Sequence, residues 1–232
     1  MKKLICIIAL GFSLNGISQK LTSPTLDKAL QAPLEQYNLD LSNNDLSGIP
    51  ESFGKLENLY FLDLSGNSLA FLPESFSKLS KISIINASNN NISRLPAKIG
   101  DLNSLTSLTL SKNQITKLPE SICDLDSLNS LDISENQLAG LPDYFGNLSM
   151  MSTIIINGNQ LATLPKSFSN LTSLVHLELG DNKLSNLPGG MINMRQLAYL
   201  NLSGNDFSAV PKPLYGMLAL TDLNLNKNNL KS

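Results

Sequence analysis

His176 and Glu178 stand two residues apart in "HLE", with serines and threonines recurring on either side. An imidazole beside a carboxylate is the material of a general base, and a nearby hydroxyl would complete a nucleophilic triad. On a strand, residues two apart share a face by geometry alone, so the spacing by itself is no sign of catalysis. Asp40 and Asp63, with Asn86, are a thin ligand set for calcium, which wants six to eight oxygens. The sequence contains no Cys/His metal cluster and no Gly-rich phosphate loop, so neither an enzyme nor a cofactor is expected. What remains is recognition.

The residues that suit recognition fall into two groups. Phe61 and Ile84, with Tyr60 adjacent in sequence, form an apolar group toward the N-terminal end. Ile155, His176 and Tyr199 form a second, with Asp132 and Glu178 close by; Asp63 adds a further carboxylate to the first. Aromatic and apolar side chains presented on a rigid scaffold are the usual material of binding hot spots.

The elements that place them repeat. Asn44, Asn67, Asn90, Asn113, Asn136, Asn159, Asn182, Asn205 and Asn228 follow one another at intervals of 23 residues, without insertion or deletion. Around each lies the same framework, as in "LTSLTLSKNQITKLP" (105–119), whose apolar spacing is neither helical nor strictly alternating. Leu59, Leu62, Leu64, Asn67 and Leu69 carry it, and so do Leu174, Leu177, Leu179, Asn182 and Leu184. In this pattern, and in the "LPESFSKL" tail (72–79), the chain resembles the leucine-rich repeat family, in the 23-residue class of bacterial surface proteins and Ras-group plant proteins. The resemblance covers about residues 24–230.

The resemblance implies an α/β solenoid: a horseshoe with a concave parallel sheet of about nine strands and short 3₁₀ or helical segments on the convex side. Positions six, four and two residues before each asparagine then face out from the concave sheet. The asparagines themselves are expected to satisfy buried backbone groups where each strand ends. Asn228 is expected to matter less than Asn136, because no following repeat stacks on it. A slot filled by Gly54, Ser77, Gly100, Cys123, Gly146 and Ser169 calls for a small residue, which makes Cys123 a buried small hydrophobe.

Three segments are expected. Residues 1–18 read as a secretory signal peptide, with Lys2 and Lys3, an apolar stretch from Leu4 to Leu14, and Gly16 and Ser18 before a cleavage site at Gln19. Residues 19–35 hold a capping helix with Thr25 as its N-cap, and residues 36–232 hold the array, with no evident cap behind it. Of 232 residues, 42% are apolar, one is His and none is Trp, and the net charge is −2. No basic stripe suits nucleic acid, and no span in the mature chain suits a bilayer. A protein or glycan ligand on the concave face is therefore expected, in a secreted or cell-surface setting. The lack of disulfide-bonded caps fits a bacterial envelope. The alternatives are an architectural tract that self-associates through an open C-terminal edge, or a cytoplasmic signalling scaffold if residues 1–18 are no leader.

Overall fold

The computed structural model describes residues 23–231. The leader expected over residues 1–18 lies outside the described residues.

The first element is helix α1, Pro24–Gln31, whose Leu26 and Ala29 are buried against the first repeat. Its N-cap is Ser23 rather than the expected Thr25: the Ser23 hydroxyl accepts from the Leu26 N–H at 3.2 Å. Pro24 decides this. It has no N–H to satisfy and its fixed φ suits the first helical position, so the cap moves to the residue before it.

Nine strands follow among the described residues: β1 Asn38–Asp40, β2 Phe61–Asp63, β3 Ile84–Asn86, β4 Ser107–Thr109, β5 Ser130–Asp132, β6 Thr153–Ile155, β7 His176–Glu178, β8 Tyr199–Asn201 and β9 Asp222–Asn224. They form one parallel sheet in chain order. Every strand residue pairs with its equivalent one repeat on, as Asp132 with Ile155 and Ile155 with Glu178. The middle residue of each strand points inward. From β1 to β8 it is buried; Leu223 of β9 is 44% exposed.

Between strands the chain returns through 3₁₀ turns such as Glu51–Lys55, Glu74–Lys78, Glu120–Asp124 and Lys166–Asn170. These line the face opposite the sheet. Each drops one large side chain into the core: Phe53 stacks on Phe76 at 5.1 Å and Phe145 on Phe168 at 6.0 Å, with Ile99 and Ile122 between the pairs. A methyl group at Gly54, Gly100 or Gly146 would fall on the carbonyl of Ser75, Ser121 or Ser167 in the following repeat. The slot is small because the next turn crosses it. Cys123 fills it in one repeat, 3% exposed, and burial, with Glu120 and Asp124 nearby, pushes its thiol up to about 11. Such a thiol is protonated at neutral pH and packs as a small hydrophobe.

The asparagines reach backward along the array. Asn136 accepts from the Ile115 N–H of the preceding repeat at 2.9 Å and donates to Leu110 O of that repeat at 3.0 Å. It also donates to Ile133 O and Ser134 O of its own turn, at 3.2 and 3.0 Å. Asn228 makes the equivalent set, accepting from Phe207 N–H and donating to Leu202 O, Leu225 O and Asn226 O. The reason given above for its lesser importance is therefore corrected: its partners lie behind it, and no following repeat is needed. What sets it apart is exposure, since it is half-buried while Asn136 is buried.

The residue before each of these asparagines has φ between 51° and 66°. Glycine holds this left-handed position at Gly66, Gly158 and Gly204, but Lys112, Glu135 and Lys227 hold it too. An L-residue there costs about 1–2 kcal/mol, partly offset by the chain entropy that glycine would add to the unfolded state. Glu135→Gly is expected to raise the unfolding free energy by up to about 1 kcal/mol in a denaturant melt. The exposed Lys112–Glu135 pair, 3.8 Å apart, is worth little against that.

Candidate functional site

Each strand ends in a turn, and that turn uses up most of the polar groups of the outward face. Asp40, Asp63, Asn86, Asp132, Asn201 and Asn224 each accept at Oδ1 from the backbone N–H two residues on, at 2.8–3.1 Å. The hydroxyls of Ser88, Ser134 and Ser203 join them. This is the local turn that short Asx side chains favour. The Ser42 backbone N–H, then its hydroxyl, holds the Asp40 carboxyl below the ordinary carboxylate range. Asp63 also accepts from Asn86 Nδ2 at 3.1 Å. Asp63 and Asp132 are thus turn caps first, with whatever capacity is left facing outward.

The pattern lapses at Thr109, for which no such bond is seen among the described residues, and it is replaced by a different network at Ile155 and Glu178. Ile155 cannot cap, and Glu178 is a methylene longer than Asp. Asn157, where most repeats have serine, takes over: its Oδ1 accepts from the Gly180 N–H, one repeat on, at 2.6 Å. Its Nδ2 donates to Glu178 Oε2. Glu178 is thereby free to hold His176, whose Nε2 lies 2.9 Å from Oε1. Burial works against ionising Glu178, but hydrogen bonds from His176, Asn157 and Asn201, with the charge on His176, outweigh it and hold its carboxyl below the ordinary range. A neutral imidazole donating from Nε2 leaves a lone pair at Nδ1.

On its other side His176 stacks on Tyr199, with ring centroids 4.3 Å apart and planes 4° from parallel. Strands in a sheet lie about 4.8 Å apart, close to the stacking distance of flat groups, so neighbouring aromatics in one row fall into register. The result is an aromatic ledge with one face of Tyr199 turned toward β9. Among the described residues no hydroxyl or thiol bonds the His176 ring, and no group of three or more metal-ligating side chains converges. What the arrangement presents to solvent is an imidazole held by a carboxylate and stacked on a phenol ring.

All eight residues singled out in the sequence lie half-buried on the sheet's outward face. His176, Glu178 and Tyr199 are brought together; Ile155 stands between Asp132 and Glu178 in the adjacent row. Phe61 pairs in register with Ile84. Tyr60 belongs to a different line, since it precedes the strand and its N–H bonds Tyr37 O at 2.7 Å. Both tyrosines are more than half exposed, and Tyr37 was not singled out. Sequence reasoning also passed over Asn157 and Gly180 as binding residues, although their departure from serine was the visible signal.

An open parallel sheet backed by 3₁₀ turns, with a stacked asparagine at every strand end, defines a leucine-rich solenoid. Family models agree. A leucine-rich repeat region matches residues 84–157, and leucine-rich repeats match 149–207, 37–56 and 58–79. The chain belongs to the leucine-rich repeat family.

Solved structures give the same fold. A leucine-rich repeat protein of Leptospira interrogans superposes with a TM-score of 0.76 at 31% identity, covering 89% of this chain and 59% of that one. An internalin (InlF) from Listeria monocytogenes gives 0.76 at 25%, covering 84% and 56%. A plant peptide hormone receptor, RGFR1, in complex with RGF2 gives 0.75 at 30%, covering 83% and 32%. This chain spans less than two thirds of each. No curated protein matches it. No helix among the described residues is long and apolar enough to cross a membrane.

Proposed function

We propose that the chain is an exported binding module that holds a protein or a glycan against its concave sheet. The observation that carries this reading is the network of Asn157, Glu178, His176 and Tyr199. Most repeats use the equivalent side chains to close their own turn, whereas here they orient an aromatic ledge toward solvent. A departure from a local rule inside an otherwise regular array is where function is sought. Binding by such a ledge loses little conformational entropy, because its parts are already fixed. The likeness to a receptor solved with RGF2 supports a protein ligand.

Export rests on the charged and apolar pattern of residues 1–18, and a bacterial envelope is the setting proposed for it. The likeness to proteins of Leptospira and Listeria supports that setting. N-terminal sequencing of protein from the native host is expected to begin at Gln19. Soluble protein retaining Met1 or Lys2 would point instead to a cytoplasmic scaffold.

The binding reading is tested by capture of envelope or host-surface proteins on the immobilised chain. Wild-type protein and Glu120→Gln, on the convex side, are expected to retain the same partner, and Tyr199→Ala to lose it. Glu120 is the better convex control because Glu74 accepts from the Ala97 N–H and so supports the next repeat. Equal capture by wild type and Tyr199→Ala would move the site off the ledge.

A further inference from the structure

The three outward rows of the sheet hold Asp40, Asp63, Asp132, Glu178 and Asp222, and no Lys or Arg. The whole chain, in contrast, balances 17 Lys and Arg against 19 Asp and Glu. Every Lys and Arg among the described residues lies outside these three rows. A partner entering the concavity therefore meets carboxylates without local counter-charge.

One position among them is shaped. His176 and Tyr199 are the first two layers of a stack that runs across the sheet. The next strand places Asp222 in register with Tyr199. Aspartate is far shorter than tyrosine, so the ring stands above it with its β9-side face open. Asp222 Oδ2 accepts from the Thr221 hydroxyl at 2.8 Å, while its other oxygen has no partner among the described residues. Asp222 is exposed and makes no ion pair there.

We infer that the open face of Tyr199 binds the guanidinium of an arginine from a partner protein, stacked as a third layer with its fork on Asp222; this rests on the concave reading above. Guanidinium is flat, so it continues a stack of flat rings, and its charge is attracted by the ring face. Its parallel N–H donors suit a carboxylate below. Lysine offers the charge without the plane. Citrulline offers the plane without the charge. The ledge is also held in place from behind, since Glu178 fixes His176 and His176 backs Tyr199.

Fluorescein-labelled Ser/Thr peptides carrying arginine, lysine or citrulline at alternate positions provide the probe, titrated by anisotropy against the full chain. The arginine peptide is expected to bind about tenfold more tightly than the lysine peptide, with citrulline weaker still. Tyr199→Ala should bring the arginine peptide down to the lysine level, Tyr199→Phe should stay within about twofold of wild type, and Asp222→Asn should weaken arginine binding and reduce its salt dependence. Equal binding of the arginine and lysine peptides overturns the assignment, as does an unchanged Tyr199→Ala or no binding at millimolar concentration. If Tyr199→Ala still abolishes capture from the envelope fraction in those cases, the concave reading stands and only the arginine falls. If capture is also indifferent to Tyr199, both fall.

Discussion

Asn136→Leu lowers the unfolding free energy by about 3 kcal/mol or more, because each buried group left without a partner costs about 1–3 kcal/mol. The side chain serves the Ile115 N–H and the carbonyls of Leu110, Ile133 and Ser134 from one amide. Leucine fits the neighbourhood in hydrophobicity and serves none of them. Asn228 serves an equivalent set, but it is half-buried, so water can replace the lost bonds. Asn228→Leu is therefore expected to cost about 1 kcal/mol or less, the net worth of a typical hydrogen bond. Denaturant melts of the two variants decide the matter. Equal losses would mean that the bonds themselves, and not the desolvation of their partners, set the energy.

Gly146→Ala is expected to cost about 3 kcal/mol, at the upper end of what overpacking usually costs. The added methyl would meet the backbone carbonyl of Ser167, which cannot rotate aside as a side chain can. Relief requires one repeat to shift against the next, and in a solenoid each repeat rests only on its neighbours. Gly140→Ala is the control. Nothing lies within 4 Å of its added methyl, and its backbone is not in the left-handed region, so a gain of about 0.4–1 kcal/mol is expected from the unfolded state. Should both variants melt alike, the small slot would reflect something other than the crossing turn.

Much of this architecture was legible because the period is unbroken. A fixed interval of 23 residues locates every strand, every asparagine and every large core residue, whatever the individual substitutions: Ile99 replaces Phe76, and Met191 replaces Phe168, without moving the frame. Direction was not legible. Sequence spacing places Asn136 between two repeats but does not say which one its amide reaches, and the hydrogen bonds point back. The left-handed residue before each asparagine was half hidden: Gly66, Gly158 and Gly204 announce it, Asn43, Asn89 and Asp181 suit it, and Lys112, Glu135 and Lys227 are carried there by the frame.

The ledge was half visible. His176, Glu178 and Tyr199 stood out by type, while the support that orients Glu178 comes from Asn157 and Gly180, which look like ordinary variation in a serine row. Only the geometry shows that Asn157 caps Gly180 and so frees Glu178. In the same way, Asp63 and Asp132 look available in the sequence, but their Oδ1 atoms close the turns at Ser65 and Ser134.

The most direct test separates binding from stability at Tyr199. The ring is half-buried on the sheet surface, outside the core formed by Leu197, Leu200 and Leu202. Once a partner has been captured, calorimetric titration of Tyr199→Ala should show an affinity lower by at least about 1 kcal/mol, the ordinary threshold of a hot spot, with the melting curve nearly unchanged. Phe61→Ala is expected to behave in the same way, and Ser107→Ala to alter neither property. If both aromatic variants bind like the parent while Glu120→Gln does not, the partner sits on the convex side and the concave account is wrong.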